Sequence, residues 1–186
     1  MPLEIEIKYR VCDHGSTTAA LGRLGFRSAG VVTEEDHYLN GADRNFAETG
    51  EAFRLRREGE GYLLTYKGPR LPGVAKIRRE IEVPVTRSAG DAQRLMELLV
   101  ALGFCPVAKV FKERAVFKGE WQGADVTVCL DSIDSLGTFV ELEQLAEEHQ
   151  ADSVSLRLRD LAVALGLSEV ESKSYLALVL ERGLGE

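Results

Sequence analysis

At 186 residues with 45% hydrophobic content, the chain can bury one substantial core and leaves little for a second module, so a single domain over residues 1–186 is expected. A formal net charge of -7 excludes broad, unspecific attraction to nucleic acid or to anionic membrane surfaces, both of which need a basic excess. Any phosphate site must therefore be local. The three cysteines, Cys12, Cys105 and Cys129, are scattered and lack the close pairs of a zinc site or disulfide framework, which fits a reducing cytoplasm.

In chain order, residues 3 to 11 alternate strictly, with Leu3, Ile5, Ile7, Tyr9 and Val11 on one face and Glu4, Glu6, Lys8 and Arg10 on the other, the pattern of a strand. No apolar leader precedes it and no later run reaches membrane-spanning length, so a soluble, unexported protein without a membrane partner is expected. Ser16 or Thr17 caps a short helix through Leu21 and Leu24 that ends at Gly25. "SAGVVTEEDHYLN" reads as a second strand and "GADRNFAETG" as a loop. "AFRLRRE" and "YLLTYKG" flank "GEG" as a hairpin, and one further strand covers "AKIRREIEVPV".

Ser88 with Asp91 resembles a capping box, after which Leu95, Leu98, Leu99 and Leu102 recur at helical spacing before Gly103. "KVFKERAVFKG", "ADVTVCLDSI" and "GTFVELEQL" supply three more strands, for about eight in all, and helices follow from Asp152 and within "ESKSYLALVLERG". "RLGF" at 23–26 and "ALGF" at 101–104 echo each other, either as a trace of two related halves or as a common helix exit.

Side chains at i and i+2 of a strand project together. The charged faces so defined carry Glu4, Glu6 and Lys8; Arg54 and Arg56; Lys67; Lys76, Arg78, Glu80 and Glu82; Lys112 and Arg114; Asp131; and Glu141 and Glu143, with mainly apolar residues opposite. Any one such face is ordinarily a solvated one. Together they are explained by a closed or nearly closed antiparallel barrel with a charged lumen and helices outside, an α+β arrangement. Arginines and lysines on several strands can grip successive phosphates, and carboxylates among them suit a hard cation such as magnesium or manganese.

With these residues in place the sequence resembles the CYTH family, which groups class IV adenylate cyclases with thiamine triphosphatases within the triphosphate tunnel metalloenzymes. The N-terminal Glu-x-Glu-x-Lys signature falls on Glu4, Glu6 and Lys8. "RLR" with Arg54 and Arg56, "TYKGP" with Lys67, "KIRREIEV" with Lys76 and Arg78, "KER" with Lys112 and Arg114, and "LDSIDSLGTFVELE" with Asp131, Glu141 and Glu143 then match in order, before the terminal "KSYLALVL". A lone Glu-x-Glu is weak in a glutamate-rich chain; the order and spacing carry the resemblance.

The resemblance implies an eight-stranded antiparallel tunnel with flanking helices, metal binding by Glu4, Glu6, Asp131, Glu141 and Glu143, and phosphate contacts from Lys8, Arg54, Arg56, Lys67, Lys76, Arg78, Lys112 and Arg114. Glu4, Glu6 and Lys8 are the catalytic candidates, and a homodimer is the family-level state. Two reactions fit: cyclisation of ATP to cyclic AMP and pyrophosphate, or hydrolysis of tripolyphosphate, thiamine triphosphate or a nucleotide triphosphate. A phosphate-binding module without turnover is the third reading, and the paired carboxylates argue against it. His14, His37 and His149 lack ligand spacing, with His37 read mainly as a surface or strand-edge residue, and neither the phosphate-loop signature nor a dinucleotide glycine fingerprint occurs.

Overall fold

The strict alternation of residues 3–11 becomes β1 (Leu3–Val11), whose Ile5, Ile7 and Tyr9 are buried beneath helices while Glu4, Glu6, Lys8 and Arg10 take the other face. The computed structural model describes residues 3–69 and 76–184. In chain order the further elements are α1 (Gly15–Arg23), β2 (Arg27–Asn40), α2 (Phe46–Thr49), β3 (Ala52–Glu58), β4 (Gly61–Lys67), β5 (Lys76–Arg78), β6 (Glu80–Thr86), α3 (Ala89–Ala101), β7 (Cys105–Trp121), β8 (Ala124–Ile133), β9 (Gly137–Ala146), α4 (Ala151–Ala164) and α5 (Tyr175–Glu181). Hydrogen bonding orders the strands β5-β1-β9-β8-β7-β2-β3-β4-β6. No described helix is long and apolar enough to cross a membrane.

Among the described residues the sheet has nine strands, one more than the sequence implies. "AKIRREIEVPV", read as one strand, breaks at Arg79: β5 pairs antiparallel with β1, whereas β6 pairs antiparallel with β4. The expected loop at 41–50 holds the short α2, capped by the Asn45 side chain accepting from the Ala47 N–H. The last helix is shorter than expected, because Ser174 caps it by accepting from the Ala177 N–H at 3.2 Å.

The chain divides into two compact units. The first holds residues 1–32, 71–78 and 113–172 and contains β5, β1, β9, β8 and the C-terminal part of β7, covered by α1 and α4. Its core joins Ile5, Ile7, Leu21, Val128, Val140 and Leu142 to Leu158 and Leu161 of α4. Each such side chain contributes about 1.5–3 kcal/mol when fully buried. Part of β1 lies beyond the reach of β5, and there residues 169–171 supply partners: Arg10 N–H donates to the Glu169 carbonyl and Glu171 N–H to the Lys8 carbonyl, both at 2.8 Å. That pairing satisfies an edge that would otherwise recruit another strand.

The second unit holds residues 33–70, 79–112 and 173–186. β3 pairs with β2 on one side and β4 on the other, and α3 starts at Ser88, whose Oγ accepts from the Asp91 N–H at 3.2 Å; the return half of the expected capping box is not made, because the Ser88 N–H donates to Thr86 Oγ1 at 3.0 Å. Of the expected leucine stripe on α3 only Leu99 is buried, while Leu98 and Leu102 are exposed.

The helix-exit echo also resolves. Phe26 N–H bonds the Leu21 carbonyl and Gly25 N–H that of Gly22; Phe104 with Leu99 and Gly103 with Val100 repeat the pair. Gly25 and Gly103 both have positive φ, as this cap requires. The exits of α4 at Gly166 and α5 at Gly183 use the same bonds, so the repeat is a helix-stop device recurring wherever these helices end.

Candidate metal and phosphate site

In the first unit, β1 lies between β5 and β9 in a register that places Glu6 opposite Glu143, Lys8 opposite Glu141 and Glu4 opposite Arg78. Oxygen atoms of Glu4, Glu6 and Glu143 all fall within 4.8 Å of one another, a group able to hold a divalent cation. Like charges directly opposite across an antiparallel pair repel. The cost is visible at Glu143: burial, and beyond it Glu4, Glu141 and Glu6, push its carboxyl well above the ordinary range against the pull of Arg114.

The other expected metal residues of this unit face their own cations. Asp131, fully buried, accepts from Arg114 through both oxygens, Nε to Oδ1 at 2.7 Å and Nη2 to Oδ2 at 2.6 Å. Arg114 also donates to Glu141, and to Glu143 at 3.4 Å. Lys8, only 1% exposed, has its Nζ 3.8 Å from Glu141 and 5.6 Å from the centre of the Phe139 ring. Arg10 lies over that ring at 4.6 Å. Arg78 is buried in β5 and makes no ion pair among the described residues, whereas the Lys76 side chain lies outside them.

The second unit gathers Arg54, Arg56, Lys67 and Lys112 around acids of which Glu80 and Glu82 are expected from the charged strand faces and Glu34 and Asp36 are not. Asp36 accepts from Arg56 at 2.6 and 2.9 Å and from Arg54 at 3.1 Å. Tyr38 donates to it at 3.4 Å. Burial opposes ionisation of Asp36, yet Arg54 and then Arg56 hold its carboxyl well below the usual range. Glu34 bridges Arg56 at 2.7 Å and Lys112 at 2.9 Å. Lys67 meets Glu80 at 2.5 Å, and Thr65 donates to Glu82 at 2.9 Å.

Parity was the signal available for these acids. Glu34, Asp36 and Tyr38 occupy alternate positions on β2, with Asp36 opposite Arg56 and Tyr38 opposite Arg54 in register. By the same alternation His37 turns to the other face, where it meets Glu35 at 2.7 Å. Cys129 was likewise overlooked. Two residues before Asp131 on β8 and opposite Glu141, it is buried, and burial above all pushes its thiol far up, so it sits in the site as a neutral group.

The sheet thus carries charged rows, with a carboxylate cluster shared by β1 and β9 that could hold a metal ion. The chain belongs to the CYTH domain family, which it matches over residues 2–175. It is 35% identical over 185 residues to "Putative adenylate cyclase MJ0240" of Methanocaldococcus jannaschii, covering 98% of this chain and 99% of that protein. "Adenylate cyclase CyaB" of Aeromonas hydrophila is 29% identical over 185 residues, covering 94% and 87% respectively. Among solved structures, the PH1819 protein of Pyrococcus horikoshii OT3 superposes with a TM-score of 0.85 at 34% identity, covering 96% of this chain and 99% of that one.

Proposed function

We propose that the chain is a magnesium- or manganese-dependent enzyme of organic triphosphates that converts ATP to cyclic AMP and pyrophosphate. The observation that carries this reading is the convergence of Glu4, Glu6 and Glu143 within 4.8 Å. The donor set suits the metal: three converging carboxylates offer hard oxygen ligands. Glu4, Glu6 and Glu143 would hold such a cation, which would supply Lewis-acid stabilisation of phosphate charge.

Lys8, Lys76, Arg78 and Arg114, together with Arg54, Arg56, Lys67 and Lys112, are the proposed phosphate ligands. Lys8, Arg114, Arg54, Arg56, Lys67 and Lys112 each share a carboxylate with which a polyanion would compete. Glu141 and Asp131 act in this reading by holding Lys8 and Arg114, and as further oxygen donors should those ion pairs exchange. In cyclisation the ribose 3'-oxygen bonds to the α-phosphorus, the bond from that phosphorus to the bridging oxygen breaks, and pyrophosphate leaves. Positioning and charge stabilisation supply most of the catalysis. The names of the archaeal and Aeromonas relatives support cyclisation over attack by water at the terminal phosphorus, which would use the same side chains.

Purified protein incubated with magnesium or manganese and, separately, ATP, tripolyphosphate and thiamine triphosphate tests the reading. Cyclic AMP with pyrophosphate is the expected product set. Orthophosphate alone would replace cyclisation by hydrolysis, and metal-dependent binding without turnover on any substrate would leave a polyphosphate-binding module.

A further inference from the structure

The second unit contains a cavity of about 630 Å³ whose walls come from β2, β3, β4, the start of β7 and α3. Most of its lining belongs to the sheet face opposite the charged row of this unit, because Leu55 alternates with Arg54 and Arg56, and Glu35 and His37 with Glu34 and Asp36; Tyr38 reaches it from the charged row. The reason for the void lies in α3. Towards the cavity the helix presents Ala89, Ala92, Gln93 and Met96, at i, i+3, i+4 and i+7, and its first two contacts are single methyl groups. The bulkier Leu98, Val100 and Leu102 are exposed elsewhere on the helix or at its exit, so they do not fill the space.

Its volume falls within the roughly 300–1,000 Å³ of small-molecule sites. Buried Leu39, Leu55 and Ala108 make an apolar floor, and Met96 is an adaptable wall. At the rim, Glu35 and His37 satisfy each other at 2.7 Å. Lys109, exposed, makes no ion pair among the described residues, so it is the cation of this mouth left to meet a ligand, whereas the Glu35 carboxylate is already engaged by His37.

We propose that this cavity is a second binding site, taking a small amphiphile with an apolar body and a single carboxylate head, the body against Leu39, Leu55 and Met96 and the head on Lys109. The proposal does not rest on the triphosphate reading: no proposed metal or phosphate ligand lines the cavity, and Tyr38, which hydrogen-bonds Arg54, is its one link to that network among the lining residues.

The test titrates the full-length chain, free of divalent metal and triphosphate, with decanoate, decanol and decyltrimethylammonium by calorimetry. Decanoate is expected to saturate at one per chain and to bind about fivefold tighter than decanol, the effect of one exposed charge pair, with the cationic amphiphile weakest. K109E should erase or invert that order. A92F should abolish binding by filling the cavity; should it fold poorly by circular dichroism, the exposed K109E carries the test alone. Glu6→Gln should leave decanoate binding unchanged. Absence of saturable decanoate binding, equal binding of the three head groups, or an order unaltered by K109E would overturn the proposal.

Discussion

Arg114 and Asp131 stand opposite each other on β7 and β8 and meet in a two-pronged ion pair at 2.7 and 2.6 Å, with the aspartate fully buried. Both aspartate oxygens are thereby engaged, and the remaining guanidinium N–H groups reach Glu141 and Glu143. The pair thus fixes the orientation of two carboxylates on the neighbouring strand. Asp131→Asn leaves a buried guanidinium with weakened compensation and is expected to destabilise the protein by about 3–5 kcal/mol, read as a lower urea midpoint. An unchanged midpoint would remove the pair from the stability of the first unit.

Glu6→Gln separates the metal cluster from the fold. Turnover should fall by roughly a hundredfold or more, the scale seen when one preorganised electrostatic group is lost. Stability in chelator should hold or rise, because the substitution removes a like-charge pair across β1 and β9. Thermal melts with and without magnesium, beside product assays, distinguish the two effects; a variant that unfolds outright would make Glu6 a structural residue.

Arg78, buried and without an ion pair among the described residues, needs no carboxylate to release it before meeting phosphate. Arg78→Ala should weaken triphosphate binding by roughly 10- to 100-fold, the loss of one charge-assisted contact. Direct titration with tripolyphosphate reads this without turnover. Wild-type affinity in the variant would remove Arg78 from the phosphate ligands.

Asp36 supplies a pH dependence of definite sign. Its carboxyl titrates well below the usual range in the folded state because Arg54 and Arg56 outweigh burial. A group with a depressed folded pKa contributes stability above its unfolded value, about 4, and loses it as pH falls through the folded value. Unfolding free energy should therefore drop between pH 5 and pH 3 (roughly the window set by that unfolded value) in the wild type, and more shallowly in Asp36→Asn. Parallel slopes in chemical denaturation would contradict the assignment.

Gly119 on β7 approaches the Phe26 ring so closely that an added Cβ would lie 2.7 Å from it. Phe26 is buried in the core of the first unit and cannot swing aside. Gly119→Ala should cost about 1–3 kcal/mol, the usual range for overpacking, measured by equilibrium unfolding. The close approach also explains a glycine inside a strand that continues to Trp121.

What the sequence determined by itself is the facing of residues. The alternation of Glu4, Glu6 and Lys8 with Ile5 and Ile7 was legible because successive side chains on an extended backbone project to opposite sides, a covalent property of the strand. Ser88 and the glycine-ended helices were legible for the same kind of reason, since caps are satisfied by neighbours in sequence. The tertiary structure alone decided partners. It brought Glu143 to Glu6 across more than a hundred residues, divided one expected strand at Arg79 because its halves pair with different strands, and set Asp36 between Arg54 and Arg56. Register and ion-pair choice depend on which distant strands pack together, and that energy is distributed over the whole fold rather than held in any local stretch of chain.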